Sequence, residues 1–157
     1  MMKFFESDNI SFETAKEINN FYLDHSSDYI VLMEEKVRDV LADLSERYDL
    51  YILSKSKIEH AKRKVDSAEI APYFKKVLSS TDLGYMKPTQ ECFNYAYEEI
   101  GTNDTSKMLI IGDSIYTDIQ GANIQGIDSV LYNPNNLMIE HNATYEINRM
   151  DELLDIL

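Results

Sequence analysis

Apolar residues recur along this chain in two alternating rhythms, one of three to four residues and one of short unbroken runs. Met33, Val37, Val40, Leu41 and Leu44 fall at helical spacing, and the run Leu50 to Leu53 then predicts a buried strand. Ile58, Ala61, Val65 and Ala68 predict a second helix and Lys76 to Leu78 a short strand. Phe93, Ala96, Tyr97 and Ile100 predict another helix, with Pro88 just ahead of its start. Met108 to Ile111 is the clearest strand; Asp118 to Gln125 predicts a helix stopped by Gly126, Val130 to Tyr132 a strand, and Asp151 to Leu157 a terminal helix. Strands alternating with helices specify an α/β protein with a parallel sheet. The first 30 residues break the rhythm, because Phe12, Ala15, Ile18 and Tyr22 mark a helix entered at Ser11, a suitable N-cap, with no clear strand before it.

Composition narrows the picture. A length of 157 residues suits one domain with a single substantial core. With 44% hydrophobic and 27% charged residues the chain is neither disordered nor membrane-embedded, and no apolar run nears the roughly 20 residues that span a bilayer. Met1 to Glu6 lacks the features of a secretory signal, and a single cysteine allows no internal disulfide, so a reducing cytoplasm is the expected location. The net charge of -13 disfavours duplex nucleic acid as a partner, and an anionic substrate would need local cations.

Those cations and their counterparts stand where strands give way to loops. The strand Met108 to Ile111 ends in Gly112 and is followed by Asp113 and Asp118. Ligands of parallel sheets bind outside the carboxyl ends of the strands, and a small-residue turn there lets a cation and a phosphate approach the backbone. Ser54 ends the strand Leu-Tyr-Ile-Leu, and Lys87 sits in Gly84-Tyr-Met-Lys-Pro88. A hydroxyl and an ammonium can hold a phosphoryl group while carboxylates hold Mg²⁺. The expected guests are Mg²⁺ and a small phosphorylated metabolite or nucleotide.

Leu-Tyr-Ile-Leu-Ser54, Gly-Tyr-Met-Lys-Pro88 and Leu-Ile-Ile-Gly-Asp-Ser-Ile-Tyr-Thr-Asp-Ile119 resemble, in order and spacing, motifs II, III and IV of the haloacid dehalogenase-like hydrolases. Gly121 to Asp128, Tyr132-Asn-Pro134 and Thr144 to Ile147 are similar to the bacterial pyrimidine 5′-nucleotidase-like phosphatases of that superfamily. The resemblance covers residues 28–157, a core domain, and implies a three-layer, Rossmann-like parallel sheet with helices on both faces and most of the helical cap missing. It implies that Ser54 binds phosphate, that Lys87 pairs with phosphate and nucleophile, that Asp113 ligates Mg²⁺, and that Asp118 orients metal-bound water and the lysine. Lys55-Ser56 departs from the family's usual Asn-Gly after the motif II hydroxyl.

The family's nucleophile and its acid/base are two aspartates in an Asp-x-Asp-x-Thr segment ending the central strand. The nearest counterpart is Phe4-Phe-Glu-Ser-Asp-Asn-Ile10, which would put Glu6 at the nucleophile and Asp8 at the acid/base. Glu is one methylene too long for in-line attack, and a misplacement of about 1 Å can cost on the order of 10²-fold. A competing alignment sets Phe5 to Glu13 inside the cap, so residues 1–27 read as a cap remnant or as a degenerate first strand, with the cap favoured. Either way the sheet would lack its central strand between motifs II and IV. Open strand edges are costly and sticky, so Met1 to Glu6 or a second chain, in a homodimer or by strand complementation, is expected to fill that slot.

Simpler readings compete with each residue. Asp113 and Asp118 alone could cap a helix, Ser54 could be a turn residue, and Lys87 a solvated lysine; the common order of all four is what carries the chemistry. Lys55, Lys57, Lys62, Arg63 and Lys64 read as a solvated helix face, His25, His60 and His141 share no metal-like spacing, and Cys92 reads as partly buried. Gly112-Asp-Ser-Ile115 also resembles the serine block of the GDS(L) esterases, but it lies late in the chain, and Met138 stands where that family wants an Asp before His141. A phospho-receiver domain has its acidic residues first and its lysine last, the reverse of this order. The remaining alternative is a catalytically silent fold that binds Mg²⁺, phosphate or a partner protein without turnover.

Overall fold

The computed structural model describes residues 11–25 and 35–157. Glu6 and Asp8, and with them the motif I candidates, lie outside the described residues. Helix α1 (Phe12–His25) starts where Ser11 predicts: its hydroxyl accepts the Thr14 amide at 3.1 Å. Then come α2 (Glu35–Arg47), β1 (Leu50–Ser54), α3 (Ile58–Ser67), β2 (Phe74–Ser79), α4 (Gln90–Ile100), β3 (Leu109–Gly112), α5 (Gln120–Gln125), β4 (Asp128–Tyr132), β5 (Tyr145–Ile147) and α6 (Leu153–Ile156). Asp118, predicted as the first helical residue, instead lies in a π-helical turn over Ile115–Ile119 that leads into α5. Gly126 ends α5 as expected: at φ +66° it lets the Ile127 amide reach the Ala122 carbonyl at 3.0 Å, closing the last turn.

Every strand pairing is parallel, but the described strands form two sheets, β1-β2 and β3-β4-β5. Register brings Ser54 opposite Ser79 and Gly112 opposite Leu131, so the motif-bearing residues stand at the carboxyl ends of their strands. Alternation along β3 sends successive residues to opposite faces. Leu109 packs into a core with Val40 and Leu44 of α2, Val130, Ile147 and Leu153, while Met108 and Ile110 join Phe93 of α4, Ala122 of α5 and Ile127. Helices therefore cover both faces of β3-β4-β5, which is the three-layer arrangement. Strand β5 adds a third member to that sheet that hydrophobic periodicity did not predict, being only three residues long.

Among the described residues, β1 and β3 each have one strand neighbour and do not pair with each other. Ile111 of β3 is 39% exposed, and no residue of β1 is fully buried. Helix α1 leaves Phe12, Ile18, Phe21 and Tyr22 exposed.

Candidate active site

Lys87 joins the two sheets. Its ammonium donates to the Leu53 carbonyl on β1 at 2.7 Å and to Asp118 Oδ1, in the turn after β3, at 2.8 Å. The two side chains are only 14% and 10% exposed, so water weakens this ion pair little and the pair holds a defined geometry. The loop from Ser80 to Thr89 aims the lysine. Gly84, at φ +73°, completes a turn closed by Gly84 N to Thr81 O (3.0 Å) and Tyr85 N to Ser80 O (3.0 Å). Pro88, preceded by a cis peptide bond, packs on Gly121 of α5, where an added Cβ would come within 2.9 Å of Phe93 and 3.2 Å of Pro88.

Asp118 is held equally firmly. Its amide donates to the Ser114 carbonyl at 2.9 Å, and its Oδ2 accepts the Ser114 amide at 3.2 Å. A Cβ on Gly112 would lie 2.4 Å from that same Oδ2, so glycine is required at the strand end for the carboxylate to fold back over it. Thr117 Oγ1 adds a longer contact to Asp118 Oδ1 at 3.4 Å.

Ser54 Oγ accepts the Ser56 amide at 3.0 Å, which leaves its proton available to a ligand. Asp113, next to Gly112, is exposed. The structure thus brings Ser54, Lys87 and Asp118 to one rim, with Asp113 one residue beyond the Gly112 strand end. Behind Lys87, Cys92 is wholly buried rather than partly so, and burial pushes its thiol pKa up, against smaller opposing effects of Lys87 and Ser80.

Mg²⁺ asks for about six oxygen ligands and commonly takes one or two carboxylates, completing its shell with water and substrate phosphate. Asp113 fits as one such carboxylate, whereas Asp118 is already taken up by Lys87 and Ser114. Among the described residues no group of three His, Cys, Asp or Glu side chains could hold a metal. His25 stacks on Phe21 with ring centroids 4.1 Å apart, His60 is buried, and His141 bonds Glu146 at 2.9 Å.

One contact escaped the reading of the sequence. Lys55, grouped there with the lysines of a solvated face, lies before α3 begins and reaches Thr117 Oγ1 at 3.4 Å, 62 residues away in sequence. Its only local signal was its place directly after Ser54.

The sequence model of the haloacid dehalogenase-like hydrolases matches residues 1–132. YfnB of Bacillus subtilis (strain 168), named as a HAD-hydrolase, is 35% identical over 121 residues, covering 76% of this chain and 52% of the relative. The pyrimidine 5′-nucleotidase PynA of Streptococcus pneumoniae is 36% identical over 122 residues, again 76% of this chain and 52% of the relative. The chain therefore spans about half the length of the curated relatives it matches. Among solved structures, that of the Bacillus subtilis YfnB bound to magnesium superposes with a TM-score of 0.85 at 28% identity, over 96% of this chain and 66% of that one. A HAD phosphatase from Thermococcus onnurineus, at 24% identity and TM-score 0.73, shares the fold over 98% of this chain and 68% of its own.

Proposed function

This chain belongs to the haloacid dehalogenase-like hydrolases, in the 5′-nucleotidase-like subgroup, and from that premise we propose that it is the phosphate- and metal-holding core of a phosphohydrolase acting on phosphomonoesters such as 5′-nucleotides. The observation that carries this reading is Lys87 suspended between the Leu53 carbonyl and Asp118 at the junction of two strand ends. A nearly buried ammonium held by one carboxylate and one carbonyl keeps the third of its N–H donors for a phosphoryl oxygen. The Ser54 hydroxyl donates to a further phosphoryl oxygen. Asp118 orients the lysine and limits its swing. Asp113 would hold Mg²⁺, an ion that the structure of the Bacillus subtilis relative contains; when bound, it would supply charge neutralisation for the phosphoryl group and its attacker. Glu6 and Asp8 are the candidates for attack and proton transfer.

A second reading is a binder of Mg²⁺ or phosphate without turnover, favoured by the lack of a third carboxylate beside Asp113 and Asp118 among the described residues. Assay of the full chain with Mg²⁺ against p-nitrophenyl phosphate and nucleoside monophosphates, beside Asp113→Asn, separates the two. Hydrolysis that Asp113→Asn abolishes supports the phosphohydrolase. Phosphate binding without hydrolysis supports the binder, and the absence of both hydrolysis and phosphate binding overturns both readings.

We propose further that Met1 to Glu6, or another copy of this chain, completes the interval between β1 and β3 with a strand. Each of these strands keeps an edge free of strand neighbours among the described residues, and unpaired N–H and C=O groups attract such an addition. Sedimentation of the purified chain separates the two: a dimer supports the second copy, and a monomer at all concentrations rejects it in favour of Met1 to Glu6.

A further inference from the structure

The turn that carries Lys55 is held from one side along its whole length. At the end of β2, the Ser80 amide and hydroxyl both donate to the Ser54 carbonyl, at 3.0 and 3.3 Å, and Ser79 Oγ donates to the Ser56 carbonyl at 2.8 Å. The Thr81 hydroxyl donates to the Lys55 carbonyl itself. Ser79 and Ser80 are 4% and 1% exposed, so the bonds that these two serines make are sheltered from water. Three consecutive carbonyls are thereby fixed, and the Lys55 backbone is not free to turn its side chain away from the rim.

From that base the Lys55 ammonium crosses to Thr117 Oγ1, which touches Asp118 Oδ1, the same oxygen that Lys87 binds. Two ammonium groups thus flank a single hydroxyl and carboxylate, and their situations differ. Lys87 is neutralised by Asp118 and nearly buried. Lys55 is exposed and has no carboxylate partner among the described residues, in a chain whose 28 acidic residues outnumber its 15 basic ones. The contact to a neutral hydroxyl at 3.4 Å is long and is readily exchanged for an ion pair of about 2.8 Å with an anion.

We propose that Lys55 is a specificity-determining residue that recognises a second anionic group of the substrate, a phosphate or carboxylate lying next to the phosphoryl group held by Lys87 and Ser54. This rests on the phosphate-binding reading of the rim given above. The chain of contacts from Lys87 through Asp118 and Thr117 reaches the Lys55 ammonium next. Plain monoesters with a neutral leaving group would use Lys87 and Ser54 alone.

Calorimetric titration of the full chain at low salt tests this with three probes: methyl phosphate, pyrophosphate and phosphoglycolate. The expected result is that Lys55→Ala weakens pyrophosphate and phosphoglycolate about tenfold while leaving methyl phosphate unchanged, and that Lys55→Arg restores both. Loss for pyrophosphate alone would assign the second group as phosphate, and loss for phosphoglycolate alone as carboxylate. Equal weakening of all three probes, or of none, overturns the role of Lys55 while the phosphate site stands. Failure of methyl phosphate to bind the unaltered chain, or to weaken on Lys87→Ala, removes the underlying site and this inference with it. An unchanged thermal melt of Lys55→Ala, expected for an exposed side chain, confirms that the comparison is between folded proteins.

Discussion

In the three-stranded sheet, β4 runs between two neighbours and its Val130 and Leu131 are 0% and 1% exposed; in the two-stranded sheet every residue of β1 is only partly buried. The first sheet presents Asp113 and Asp118, the second Ser54, with Lys87 in the loop that follows it. The former rests on a core built from α2, β4, β5 and α6, and its Asp118 carboxylate is fixed by the Ser114 amide and the Lys87 ammonium. The latter keeps its order at the rim through polar bonds among Ser54, Ser79, Ser80 and Thr81. Packing thus secures the sheet that carries Asp113 and Asp118, whereas hydrogen bonding secures the turn after Ser54, and Lys87 is the ion-paired link between them.

The contrast is sharpest in the cores. Leu131→Ala should destabilise the protein by about 2–5 kcal/mol, whereas Leu53→Ala on β1 should cost about 1 kcal/mol, both read from urea unfolding. Similar losses at the two positions would mean that β1 is as well packed as β4. Severing the link comes next. Lys87→Ala leaves Asp118 a nearly buried carboxylate without its cation, and a loss of about 3 kcal/mol is expected, together with loss of phosphate affinity; a variant of unchanged stability would dismiss the pair as a structural bridge.

A smaller effect is expected at the β3 strand end. Gly112→Ala forces a Cβ into the space of the Asp118 carboxylate, so about 1–3 kcal/mol should be lost and phosphate affinity should fall with it. If the melt drops but phosphate binding holds, Asp118 does not need its present position.

The smallest effect concerns the loop beyond β4. Glu146 accepts from Asn133 Nδ2 at 2.6 Å and from His141 Nε2 at 2.9 Å, and these bonds, that of Asn133 foremost, hold its carboxyl below the usual glutamate pKa. The Ala143 amide donates to His141 Nδ1 at 3.2 Å, so the ring proton sits on Nε2, facing Glu146. A lowered folded pKa means that this stabilisation is complete above the unfolded pKa and is lost as pH falls through the folded one. Thermal melts between about pH 6 and pH 3 should therefore show a shallower acid decline for Glu146→Gln than for the unaltered chain, and identical slopes would dismiss the contribution.

Much of this was legible in the residues. Ser11, the Gly126 stop and the strand Met108 to Ile111 carry strong local signals, and a cap, an αL glycine and an apolar run act within a few residues. Ser54, Lys87, Asp113 and Asp118 were recognisable by order and spacing. Strand β5 was not, because three residues with exposed Tyr145 and Glu146 and a single buried Ile147 set no periodicity. The π-helical turn at Asp118 was likewise hidden: its backbone is drawn by the Ser114 carbonyl, which accepts the amides of both Asp118 and Ile119, and no residue type announces such a bifurcation.

By itself, then, the order of residues determined which segments coil, which extend, and which polar side chains end up at strand ends, since backbone propensity and apolar spacing act over short distances. The tertiary structure alone decided that Lys87 would meet Asp118 across 31 residues and that Lys55 would reach Thr117 across 62. It also decided that an apolar core backs the sheet beside Asp113 and Asp118 while serine hydroxyls hold the turn after Ser54. The physical reason is that a charge pair gains its geometry from the exclusion of water, and water is excluded only where distant elements have already packed around it.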